Sequence, residues 1–141
     1  MRTPLILRTL LLLSVPTLCG CADIPAVAPE NATLRLNRSS DSAHTNSDSI
    51  IVEATVDLET GDPVGYDAQV TFTTDLGGLC RLFKRGVACG LDSVTGLPSL
   101  TVSTSEGVAF AVLRGGGQLG QATLRAKSGD AHDSTSVTLV P

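Results

Sequence analysis

The chain has 141 residues, ten Lys and Arg against 14 Asp and Glu, a net charge of −4, and few aromatics: no Trp, one Tyr and three Phe. That length holds one domain of ordinary size. The acidic balance argues against a surface built to grip nucleic-acid phosphates, and the scarcity of aromatics largely excludes base-stacking platforms and aromatic sugar clamps.

The chain begins with Arg2 and Arg8, then an apolar run from Thr9 to Leu18. That run has the length of a signal-peptide core and is too short to cross about 30 Å of hydrocarbon. Leu18-Cys19-Gly20-Cys21 follows. This resembles the lipobox of bacterial lipoproteins, in which a Leu stands three residues before the cut, a small residue stands just before it, and the sulfur of an obligatory Cys takes diacylglycerol. Cys19 departs from the usual Ala, Ser or Thr but is small. The resemblance implies a signal peptide over 1–20, lipid on Cys21, and a membrane as partner through that lipid, which two or three acyl chains make firm. The alternative is an ordinary secretory signal with a chance cysteine. In enteric-type lipoproteins an Asp directly after the Cys favours the inner membrane; Ala22 stands there, which favours the outer membrane and leaves surface or periplasmic exposure open. Removal of Arg2 and Arg8 leaves eight basic residues against 14 acidic, a net of −6.

Residues 21–31 carry Pro25 and Pro29 and read as an extended tether, long enough at about 3.1 Å per residue to lift a domain roughly 30 Å. From Ala32 the period is two. Leu34 and Leu36 share one face; Ser-rich residues 39–49 read as a loop; Ile50, Val52, Ala54 and Val56 face inward on the next strand. Gly61 and Pro63 mark a turn. Tyr66, Ala68, Val70 and Phe72 are expected inside, then Leu100 and Val102, then Val108, Phe110 and Val112 after the turn at Ser105-Glu106-Gly107. Ala122, Leu124 and Ala126 follow, and Val137 and Leu139 close the pattern. About seven short strands at this spacing, with no sustained helical period, predict an all-β, two-sheet antiparallel sandwich over 32–141.

These stretches resemble the bacterial immunoglobulin-like domains of invasin- and intimin-type adhesins. The resemblance rests on Gly61-Asp62-Pro63-Val64, Val70-Thr71-Phe72, Thr104-Ser105-Glu106-Gly107-Val108-Ala109 and Ala122-Thr123-Leu124-Arg125-Ala126. It covers nearly all of the chain after the leader and implies an immunoglobulin-like fold in a cell-envelope setting, with no catalytic residues. Such domains usually occur in tandem rows, whereas a single copy stands here. The segment 79–98 is also longer than the family's connection and holds two cysteines.

In an exported chain Cys80 and Cys89 read as a disulfide, since two thiolates without further ligands make a poor zinc site. They bracket Leu82, Phe83, Lys84 and Arg85, an apolar and basic tip on an acidic protein. That tip is either a stapled recognition loop or an insertion covering one end of the sandwich. Asp57, Glu59 and Asp62 cluster at a turn without the spacing of a dedicated calcium loop. His44 and His132 sit in polar turns, and a Ser–His–Asp set drawn through His132 and Asp133 lacks any nucleophile elbow. No metal and no cofactor is expected. The sequence therefore predicts a lipid-anchored, non-enzymatic binding or adhesion-type module with a protein or glycan partner and no nucleic acid. The alternative is an accessory subunit of a larger periplasmic or secretion assembly.

Overall fold

The computed structural model describes residues 26–83, 86–88 and 96–141; the leader, Cys21, Lys84, Arg85 and Cys89 lie outside them. Among the described residues there are ten strands and no helix: β1 (Thr33–Arg38), β2 (Ser42–His44), β3 (Ser49–Asp57), β4 (Gln69–Thr74), β5 (Gly78–Phe83), β6 (Gly86–Ala88), β7 (Ser99–Ser103), β8 (Val108–Arg114), β9 (Gly120–Ser128) and β10 (Ala131–Val140). They form two five-stranded sheets, ordered β1-β3-β8-β5-β6 and β2-β10-β9-β4-β7. This is an immunoglobulin-like β-sandwich. Only the β5–β6 and β9–β10 connections stay within one sheet. Every other connection crosses between the layers, so both sheets must assemble together.

The alternating residues close the space between the layers. Val52, Ala54, Val56, Val70, Phe72 and Ala122 are all 0% exposed and belong to one contiguous core cluster. Phe72 is the one aromatic in that cluster, and burying such a side chain contributes about 1.5–3 kcal/mol. In β8 the inward phase is the reverse of the expectation. Ala109, Ala111 and Leu113 enter the core, Phe110 is 38% exposed, and Val112 is buried on the other face. The stretch VAFAVLR is apolar on both faces, so period two cannot choose between them. Pairing decides: Ala109 and Ala111 lie opposite Ala54 and Val52, where small side chains suit two closely packed layers. Tyr66, also expected inside, is 44% exposed.

Two segments expected as loops are strands. β2 runs parallel to β10, with Leu139 beside Ala43 and the Thr45 N–H donating to the Val140 carbonyl at 2.9 Å. Three residues with one buried side chain carry too little pattern to be seen in the sequence. β5 pairs with β8 on one side and β6 on the other, which turns the first part of the 79–98 insertion into sheet. Residues 26–28, expected within the tether, are docked on the fold. Ala28 is 5% exposed within the core cluster, the Gln69 N–H donates to the Ala26 carbonyl at 2.7 Å, and the Ala28 N–H donates to Ser128 Oγ at 2.9 Å. The Tyr66 hydroxyl closes this strap by donating to the Val27 carbonyl at 2.7 Å. Tyr66 is thus a clamp on the chain's entry.

Side-chain acceptors close places that the ladders leave open. On the outer edge of β1 the Leu36 N–H donates to Asp133 Oδ2 at 2.8 Å, and Arg38 reaches Thr135, so β10 blocks that edge against a further strand. After β4, Asp75 Oδ1 accepts the Thr123 N–H at 2.6 Å. That backbone bond holds the Asp75 carboxyl below its ordinary pKa, against a smaller opposing effect of burial and with slight help from the charge of Arg125.

Three expected outcomes follow from these contacts. Asp133→Ala strips a charged acceptor from a half-buried N–H and costs about 1 kcal/mol by chemical denaturation. Gly107 has φ +79° and a Cβ there would stand 2.8 Å from Pro63 Cβ and 3.0 Å from the Val56 carbonyl oxygen; Gly107→Ala lowers stability by at least about 1 kcal/mol. A depressed folded-state pKa gives Asp75 a stabilising contribution that is full above the ordinary carboxylate range and is lost as pH falls through the folded pKa. Unfolding temperatures measured between about pH 5 and 2 should therefore fall less steeply for Asp75→Asn than for the native chain.

Candidate functional site

The described residues offer two surfaces, one on each sheet. The first is the β5–β6 hairpin, the place of the expected recognition tip. Residues 78–83 are strand, and Leu82 pairs with Val87 and Phe83 with Gly86. Phe83 is 53% exposed and Leu82 partly buried, while Lys84 and Arg85 lie outside the described residues. Leu82 and Phe83 therefore stand on a sheet margin and not on a free loop, and as consecutive strand residues they project to opposite faces. Cys80 points to the outer face of its sheet yet is 1% exposed, in a small cluster with Val112 and Leu82. Cys89, its expected partner, lies outside the described residues. Arg81, on the opposite side of β5, donates to the Thr101 carbonyl at 2.9 Å and ties the hairpin to β7. Beside the hairpin, Phe110 and Ile51 are exposed on the same outer face, at 38% and 42%.

The second surface is a groove of about 940 Å³ on the outer face of the other sheet, across β4, β9 and β10. Its floor follows from the register. Arg125 lies between Thr73 and Ser134, and Lys127 lies between Thr71 and His132. Because Leu124 and Ala126 are buried in the core, strand alternation puts Arg125 and Lys127 on the solvent side. Gln69 and the strap residue Val27 close one end. Backbone groups along the floor are engaged in ladders, so the groove presents side-chain donors and acceptors: hydroxyls, an amide, two cations and an imidazole. In the sequence, Arg125 and Lys127 alternate with the inward Ala122, Leu124 and Ala126. Two cations at i, i+2 on a strand were the available signal, and their hydroxyl neighbours come from strands that only the fold brings together.

The remaining sequence candidates do not converge. His132 Nδ1 stands 3.0 Å from the Asp130 carbonyl oxygen, whereas Asp133 is turned to the Leu36 and Ser134 N–H groups. His44 Nδ1 lies 3.1 Å from Asp48 Oδ2. The His44 backbone N–H donates to that same oxygen and holds the Asp48 carboxyl below its ordinary pKa. Asp57 meets Arg35 at 3.4 Å, and Asp62 accepts from the Thr60 hydroxyl at 3.0 Å. Among the described residues no three His, Cys, Asp or Glu side chains gather where a metal ion could be held.

No protein-family model matches the chain, and no curated protein matches it. In fold it is similar to the solved structure of the adhesin InvE of Yersinia pseudotuberculosis, with a TM-score of 0.53 and 22% identity over 83% of this chain. The chain spans 28% of the length of that structure. At this identity the likeness speaks for the fold alone, an immunoglobulin-like β-sandwich.

Proposed function

We propose that this chain is a lipid-anchored envelope protein whose single immunoglobulin-like domain acts as a non-enzymatic, adhesion-type binding module. One observation carries the reading. A sandwich similar in fold to an adhesin follows a segment, Leu18-Cys19-Gly20-Cys21, with the pattern of a lipobox. The docked strap adds a geometric consequence. With Ala26 fixed to β4, only five peptide steps separate Cys21 from the fold, a leash of at most roughly 18 Å. The module then works close to the membrane, about half as far out as a free tether would allow. Ala22 after the cysteine favours the outer membrane.

The same reading pairs Cys80 with Cys89. The described ladder ends at Arg81 and Ala88, the chain neighbours of those two cysteines. A staple there would fix the base of the hairpin that carries Leu82, Phe83, Lys84 and Arg85, and closing so short a loop contributes roughly 2–3 kcal/mol. The accessory-subunit alternative draws on Ile51 and Phe110, which leave an apolar patch beside the hairpin that a permanent neighbour could cover.

The test is made on cells expressing the full chain with a tag after Pro141. Mass spectrometry is expected to find diacylglycerol on a new N-terminal Cys21, and Cys21→Ala is expected to leave the membrane fraction. An impermeant antibody that labels intact cells supports the binding module. Labelling only after permeabilisation, with stable co-purification of one envelope complex, sinks it in favour of the accessory subunit.

A further inference from the structure

We propose that the groove over β4, β9 and β10 takes an acidic polysaccharide, with Arg125 and Lys127 pairing its carboxylates; this deepens the binding-module reading and rests on it. The charge distribution carries the argument. Arg35 and Arg38 are in ion pairs with Asp57 and Asp41, Arg114 donates to the Ser49 hydroxyl, and Arg81 is engaged with a carbonyl. Among the described residues, Arg125 and Lys127 are the cations that no carboxylate pairs within 4 Å and no hydrogen bond holds. They sit together on a protein whose net charge is −4. Two acidic groups stand near. Asp133 lines the groove but gives its oxygens to the Leu36 and Ser134 N–H groups. Asp75 feels the charge of Arg125 and is occupied by the Thr123 N–H. These hydrogen bonds leave both carboxylates charged, but Asp75 is outside the lining, so the lining carries Arg125 and Lys127 against Asp133 alone and is net positive, complementary to an anion.

The form of the groove selects the kind of anion. At about 940 Å³ and open along a sheet face, it has room for several residues of a chain. Arg125 and Lys127 are two residues apart on one face, about 6.6 Å by strand rise, which suits charges that recur along a polymer. Hydroxyls flank each cation, Thr73 and Ser134 beside Arg125 and Thr71 beside Lys127, and they match the hydroxyls of a sugar. An acidic peptide would want main-chain partners or apolar pockets for anchors. The ladders use the backbone, and the apolar side chains at hand are Val27 and Ala126, the second of them 1% exposed. No aromatic lines the groove to stack a nucleobase.

The experiment uses the full purified chain in detergent and titrates it by calorimetry with polygalacturonate, dextran and poly-L-glutamate. Binding of polygalacturonate at 20 mM NaCl is expected, at least about threefold weaker at 200 mM because exposed charges are screened. Arg125→Ser with Lys127→Ser is expected to weaken it about fivefold or more, given the modest contribution of each exposed pair. Arg35→Ser, on the other sheet, should leave it unchanged. Both changed side chains are exposed, and an unaltered unfolding temperature for the double variant excludes a folding defect; charge reversal with Arg125→Glu gives a second reading. Absence of polygalacturonate binding at low salt overturns the proposal, as does equal affinity in the double variant, or equal binding of dextran or poly-L-glutamate. None of these results depends on where the chain resides or on lipid at Cys21, so the proposal and the envelope reading can fail separately.

Discussion

The closeness of the two sheets is the constraint on which the rest depends. The core is built mainly from Val, Leu and Ala, with Phe72 as its one aromatic. Such side chains fill the space between two layers only if the layers approach closely, and a void left there would forfeit dispersion contacts outright. The Ala54–Ala109 and Val52–Ala111 pairs show how this is met at the centre of one sheet. Because nearly every connection crosses between layers, neither sheet can relax without displacing the other.

That constraint explains where side chains went that the pattern alone misplaces. In most strands one face is apolar and the other polar, so period two settles the phase: Leu34 and Leu36, Val70 and Phe72, Leu124 and Ala126 lie inside as their spacing requires. β8 is apolar on both faces, and size is what decides there. The smaller Ala109 and Ala111 fit between the layers, and Phe110 is left on the surface. Tyr66 was misplaced for a related reason. An amphipathic ring next to a strand fits its inward phase equally well, and only the docked strap reveals the carbonyl its hydroxyl needs.

What the sequence hid altogether are features whose partners are distant in the chain. β2 exists because β10 lends it a ladder, and nothing within residues 42–44 signals that. The strap is fixed by Ser128, 100 residues away. The groove is similar: Arg125 and Lys127 could be placed on an outer face from alternation, but Thr71, Thr73, His132 and Ser134 join them only through the order β10-β9-β4. The chemistry of single residues was legible; their assembly into a surface was not.

The two outer faces have diverged in character. One carries Ile51 and Phe110 beside the Cys80 cluster, the other a polar floor with two unpaired cations. Neither difference is required by the fold, since the solvent side of a strand tolerates almost any residue without loss of the core. An outward Phe on a central strand, and adjacent like charges without an ion pair within 4 Å, each forgo solubility or electrostatic stabilisation that ordinary surface residues would supply. Features that the core does not need, and that the free protein gains little from, are explained most directly by what touches them. The docked strap sharpens this point. It packs against Gln69 and Ser128, at one end of the polar groove, and leaves Ile51 and Phe110 on the opposite sheet. A chain held from its N-terminus would therefore present these two faces on opposite sides of one short leash.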